Sequence, residues 1–161
     1  MRLETSAVVD DVAPGAVFAV AADLRNLPAW WIEHLHAEVV TPAARLRDTV
    51  YRVRYRLPWG QVISATCTVM AARGHHSLTY VWVGGGMRMA VGQGFIPAGE
   101  GTEMRLVADL RVGWPLAPLA PVLVRLMRRE LRGEIDRALA TLAELAAARA
   151  VMRRGGRLAA L

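Results

Sequence analysis

The chain has 161 residues, 54% of them from the AVILMFWYC set and 21% charged, which is enough apolar material for the core of one domain and excludes a disordered chain. All 20 basic residues are arginine against 14 carboxylates, a formal charge of +6; that balance admits an anionic partner, although arginine without lysine, beside many alanines, is also what GC-rich coding produces. A lone cysteine, Cys67, excludes an internal disulfide and a cysteine-only metal site.

Leu3 to Val9 reads as a short strand. Glu4, Asp10 and Asp11 precede the first apolar run, so the start does not resemble a secretory signal and a cytoplasmic protein is expected. Asp10 or Asp11 is placed to cap a first helix from Pro14 to Ala22, with proline in its first turn. Asn26 is placed to cap a second short helix through Leu27 to Ile32. The longest apolar stretches, Val12 to Ala22 and Trp114 to Val124, fall well short of the ~20 residues of a membrane span.

From Asp48 the period changes to two. In Thr49 to Leu57, Tyr51, Val53, Tyr55 and Leu57 share one face and Arg52, Arg54 and Arg56 the other. Gln61 to Ala72 follows with Ile63, Ala65, Cys67 and Val69 on one face. Ser77 to Val83 places Leu78, Tyr80 and Trp82 together. After the breaker Gly84-Gly85-Gly86, Met87, Met89, Val91, Gln93 and Phe95 alternate, with Gly92 and Gly94 opposite predicting a bend or bulge. Thr102 to Val112 sets Met104, Leu106, Ala108 and Leu110 against Glu103, Arg105 and Asp109. Consecutive strands joined by short turns make an antiparallel meander with one apolar face.

Pro115, Pro118 and Pro121 form a loop before a long helix, Leu119 to Ala148, about 45 Å at 1.5 Å per residue. Leu123, Met127, Leu131, Ala138, Leu142 and Leu145 make its apolar stripe. Only this helix is long enough to cover the sheet. An α+β architecture follows: a curved antiparallel sheet of about seven strands around a C-terminal helix. It leaves an internal pocket roofed by the short helices. Residues 1–148 form the domain, and 149–161 a flexible basic tail.

The order of elements, together with "APGAVFAVAADLRNLPAWW" (Ala13 to Trp31), "GEGTEMRLVADLRV" (Gly99 to Val112) and "LVRLMRRELRGEIDRALATLAE" (Leu123 to Glu144), resembles the helix-grip fold of the START, birch-pollen-allergen and polyketide-cyclase superfamily, also called SRPBCC. Within it the chain looks most like the small bacterial polyketide cyclase/dehydratase branch. The resemblance implies either an enzyme of aromatic ring formation in natural-product biosynthesis or a binder of apolar ligands. Aromatase/cyclases of this group carry arginine inside the pocket on the middle strands; here Gln61 to Ala72 has none, so the chain departs from that pattern.

The inward set is aromatic and sulfur-rich. Trp31, His34, Cys67, Trp82, Met87, Met89, Phe95, Met104, Leu106 and Met127 are candidate ligand contacts, each equally at home in an ordinary core. Tyr51, Tyr55, Tyr80 and Gln93 need partners, because a buried hydroxyl or amide left alone costs about 1–3 kcal/mol. They would bond one another, or orient a ligand carbonyl and stabilise an enolate. Glu134 lies about 40° from the centre of the helix stripe. It would either titrate high and move protons or pair with Arg137. His34 and His36 share a face if their segment is extended, and His36 at a pocket mouth would shuttle protons. No third ligand stands at metal-site spacing, and no cofactor motif occurs.

The leading expectation is a metal-free cyclase/dehydratase acting on an apolar, carbonyl-bearing chain, with an acyl carrier protein as a candidate partner. The alternative is a carrier of a lipid, isoprenoid or other hydrophobic ligand. A third is a membrane-proximal or partner-binding module using Trp30, Trp31 and the proline loop. The arginines fall on opposite sides of the fold, so a nucleic-acid stripe is not expected. Neither is stable membrane insertion; a monomer or homodimer is.

Overall fold

The computed structural model describes residues 1–114 and 116–158. Pro115 of the expected loop and the last three residues of the expected tail lie outside the described residues. Seven strands, β1 (Arg2–Val9), β2 (His34–Thr41), β3 (Val50–Arg56), β4 (Val62–Arg73), β5 (Ser77–Gly84), β6 (Met87–Ala98) and β7 (Gly101–Val112), form one antiparallel sheet in the order β1-β7-β6-β5-β4-β3-β2. Helix α1 (Pro14–Ala22) and the single turn α2 (Leu27–Trp30) lie between β1 and β2, and α3 (Ala120–Leu158) closes the chain. This is the α+β helix-grip fold, a curved sheet clasping one long helix.

The alternation of β3 through β7 is the physical cause of the sheet. Tyr51, Val53, Tyr55, Cys67, Val69, Tyr80, Val91, Phe95, Met104 and Leu106 are buried, while Arg52, Arg54 and Arg56 are exposed on the other face. The β5–β6 hairpin is closed by Gly85 and Gly86, with φ of 59° and 74°, between the paired Gly84 and Met87. Two consecutive positive φ values are what a two-residue turn matching the strand twist requires, and glycine adopts them without strain. The bulge expected at Gly92 and Gly94 is absent, since β6 keeps continuous register with both neighbours. The irregularities fall instead in β4, between Val69 and Ala71, and twice in β2.

The helix starts differ from the expected caps. Ala13, not Asp10 or Asp11, is the N-cap of α1, where Pro14 supplies the preset φ. Asp23 rather than Asn26 accepts from a backbone N–H, that of Arg25 at 3.2 Å, and so caps the 3-10 turn Leu24–Asn26. The second helix ends at Trp30, two residues short of Ile32. Helix α3 begins at Ala120 and continues past Ala148 to Leu158, so the segment from Arg149 is helical as far as it is described.

Helix α3 buries Met127, Leu131, Ile135, Ala138, Leu139, Leu142 and Ala146 against the sheet. Its polar ties cluster in one part. Glu134 accepts from Tyr55, Asp136 from Thr5, Glu33 accepts from Arg137, and Asn26 from Arg149. Among the described residues no side-chain hydrogen bond or ion pair links residues 120–133 to the rest of the protein.

Candidate functional site

The interior is mostly filled. Beneath the short helices, where the sequence predicts the pocket, Phe18, Leu24, Leu27, Trp30 and Trp31 occupy the volume, all buried. Between α1 and α3 a void of about 30 Å³ remains, lined by Ala16, Val20 and Ala146, and a half-open cavity of about 40 Å³ lies farther along the helix. The latter is bounded by Tyr55, Leu57, Ile63, Ala65, Trp82, Gly84, Met87, Met89, Leu110, Met127 and Leu131. Its roof is therefore the N-terminal half of α3. Through Leu57, Ile63 and Met87 it adjoins an outer groove of about 320 Å³ with Trp59, Leu116, Leu119 and Leu123 on its walls.

Tyr55 is the polar group of the inner wall. Its hydroxyl donates to Glu134 Oε2 at 2.6 Å, a buried bond between strand and helix. Glu134 stands one turn beyond Leu131 on the same helix face. Burial pushes its carboxyl up to about 7; the Tyr55 bond pulls it back, Glu33 and Glu130 raise it and Arg137 lowers it. The tyrosine hydroxyl is itself held above its ordinary value by burial and by the Glu134 charge. Arg137 does not pair with Glu134; it reaches Glu33 at 3.3 Å on the rim. The Tyr55 phenol thus stands at the cavity wall, bonded to the Glu134 carboxyl behind it, which is not itself a lining residue.

Next to this pair is an aromatic block. The His34 ring lies 4.3 Å from Trp82, 4.8 Å from Trp31 and 5.2 Å from Tyr55, centre to centre. Burial drives the His34 imidazole down to about 3, weakly opposed by the Trp31 backbone, so the ring is neutral at ordinary pH. Among the described residues the indole N–H groups of Trp30 and Trp31 have no hydrogen-bond partner.

The sequence-predicted residues separate into several places. Tyr55, Trp82, Met87, Met89 and Met127 meet at the cavity. Tyr51 is buried but faces a different, open cleft of about 400 Å³ with Asp23, Arg25, Leu46 and Thr49. Tyr80 lies in the solid core and accepts from Gln93 Nε2 at 3.3 Å. Phe95, Met104, Leu106, Cys67 and Trp31 are core residues away from the cavity wall, and burial raises the Cys67 thiol. The expected shared face of His34 and His36 is corrected. A register shift between them turns His34 inward and leaves His36 exposed, 3.6 Å from Glu38. Trp30 and Trp31, expected as a docking pair, are buried.

Leu57, Ile63, Ala65, Gly84, Leu110 and Leu131 complete the cavity although the sequence did not single them out. Leu57, Ile63, Ala65 and Leu110 lie on the inward faces already assigned by alternation, and Leu131 lies on the helix stripe. What distinguishes them is nearness to the Pro58-Trp59-Gly60 and Gly84–Gly86 turns. Among the described residues no helix is long and apolar enough to cross a membrane. No group of three or more His, Cys, Asp or Glu side chains among them could hold a metal ion.

A family model described as polyketide cyclase/dehydrase and lipid transport matches residues 1–147. No curated protein matches the chain. Among solved structures, the Zhui aromatase/cyclase from Streptomyces sp. R1128 has a TM-score of 0.78 at 14% identity, covering 93% of this chain and 95% of that one. A protein from Thermus thermophilus has a TM-score of 0.77 at 19% identity, covering 92% and 98%. A START superfamily protein from Mycobacterium smegmatis has a TM-score of 0.71 at 14% identity, covering 89% and 98%. At such identities the likeness is one of fold.

Proposed function

Given that the chain belongs to the polyketide cyclase/dehydrase and lipid transport family, we propose that it is a metal-free cyclase/dehydratase for an apolar, carbonyl-bearing chain. The observation that carries this reading is the 2.6 Å bond between Tyr55 and Glu134 at the wall of an otherwise apolar cavity. The chain enters by the outer groove and brings one carbonyl to Tyr55. Met87, Met89 and Met127, unbranched and readily repacked, give way to admit it.

Once the methionines have given way, the Glu134 carboxylate behind Tyr55 is reached by the chain and removes a proton from a carbon flanked by carbonyls. The Tyr55 hydroxyl, released from the carboxyl once that is protonated, donates to the enolate oxygen. The carbanion adds to a second carbonyl of the same chain, forming the ring bond, and the alkoxide takes the proton back from Glu134 to become a hydroxyl. Glu134, again a carboxylate, removes the neighbouring carbon-bound proton and passes it to the departing hydroxide, so that water leaves and Glu134 ends as it began. No oxidant or reductant is consumed. Holding the two carbons near contact supplies several kcal/mol of the barrier.

A second reading, carriage of an intact lipid or isoprenoid, is favoured by the lining itself, in which every side chain but Tyr55 is apolar or weakly polar. The deciding experiment supplies a poly-β-ketone thioester and follows products by mass spectrometry. Cyclised product formed by the wild type and not by Glu134→Gln supports the enzyme. Retention of the ligand unchanged by both assigns the carrier.

A further inference from the structure

Long stretches of this chain carry no carboxylate. No Asp or Glu occurs from Thr49 to Gly99 or from Leu110 to Arg129. Those segments include the β3–β4 hairpin, the β5–β6 turn and the entry into α3. These parts expose large apolar side chains: Trp59 is 50% exposed and Trp114 83%. They belong to one surface. Trp59 and Leu119 wall the outer groove together. The Gly113 N–H donates to the Gly86 carbonyl at 2.8 Å, which places Trp114 beside the β5–β6 turn. Leu126, also exposed, continues from Leu119 two turns along the helix.

Arg125, Arg128 and Arg129 are exposed on the same stretch of helix, with Arg125 and Arg129 nearer the stripe and Glu130 exposed beyond them, and none of the three arginines joins an ion pair among the described residues. The surface therefore combines indole and leucine side chains with net positive charge, around the mouth that leads to the cavity. Tryptophan suits the boundary between headgroups and acyl chains, and exposed arginine suits the phosphates above it. A folded acidic protein would need its carboxylates in fixed register with these arginines. A bilayer needs only the layering of apolar below charged, which is the layering present.

We propose that this surface docks reversibly on an anionic lipid bilayer, with the groove mouth turned toward the acyl chains. The proposal goes beyond the cyclisation reading and stands without it. Its test is flotation of the purified chain with vesicles of phosphatidylcholine alone and of phosphatidylcholine mixed with phosphatidylglycerol. The expected result is at least about tenfold stronger partitioning onto the anionic vesicles, weakened by high salt. Trp59→Ala with Trp114→Ala, and separately Arg125→Glu with Arg128→Glu, each abolish most of it while far-UV circular dichroism stays unchanged. No binding to anionic vesicles overturns the proposal. So does binding that both double variants retain, or capture by an acidic carrier protein without vesicle binding. Activity is not read in this experiment, so its failure leaves the cyclisation reading untouched.

Discussion

Tyr55 on the sheet and Glu134 on the helix stand 79 residues apart in the chain and meet through one buried 2.6 Å hydrogen bond. The donor stabilises the carboxylate form, so removing it lifts the Glu134 pKa further above about 7. Tyr55→Phe is expected to lose at least about 100-fold in turnover. The acid limb of its pH–rate profile moves to higher pH. Glu134→Gln forms no cyclised product at any pH. An unmoved limb in Tyr55→Phe would separate the tyrosine from the proton-transfer step.

The two buried ionisable groups of the site pull stability in opposite directions. Glu134 is raised from 4.5 to about 7, so its contribution is full below 4.5 and lost as pH rises through 7. His34 is lowered from 6.5 to about 3, so its contribution is full above 6.5 and lost as pH falls through 3. Between 4.5 and 6.5 the slopes cancel. In Glu134→Gln the His34 slope alone remains, and stability climbs across that window by up to about 3 kcal/mol. Thermal unfolding of both proteins against pH checks this; parallel profiles would refute it.

Tyr80 belongs to the core and not to the cavity. Tyr80→Phe removes the partner of Gln93 Nε2 and leaves a buried amide short of a bond, at a cost of about 1–3 kcal/mol. Turnover per folded molecule stays within about twofold of wild type, against the loss of about 100-fold or more for Tyr55→Phe. Denaturant unfolding and a rate assay on the same sample distinguish the two.

Gly84 lines the cavity at the end of β5, against β4. A Cβ there would stand 2.6 Å from the Ser64 carbonyl oxygen and 2.7 Å from Ala65 Cα, both backbone atoms. Gly84→Ala must push the strands apart and is expected to cost about 1–3 kcal/mol. Chemical denaturation measures it; a neutral result would mean that the turn relaxes freely.

Strand alternation from residue 49 to 112 made the sheet and its inward face legible, because side chains on a pleated strand alternate strictly. It carried no information about height. Tyr51 and Tyr55 share a face, yet four residues of strand, about 13 Å, place one at an open cleft and the other at the cavity. Strand β2 was missed because it is an edge strand with most of its residues exposed, and two register shifts break its period. The first shift also separates His34 from His36. The Glu134 position on the helix stripe was readable, but its partner was not: Arg137, three residues on, is a local candidate, whereas Tyr55 is brought in only by the curl of the sheet.

Helix α3 is fastened along one part of its length only. From Glu134 onward it is tied to β1, β3 and the short-helix segment, whereas residues 120–133 rest on the sheet by apolar contact alone. Apolar contact is indifferent to small sliding. This stretch, about 21 Å at 1.5 Å per residue, runs from the turn Ala117–Leu119 to the acid–phenol bond. Under the proposed function it is the part of the roof that would shift to admit guests of different girth, while the Tyr55–Glu134 pair keeps its spacing.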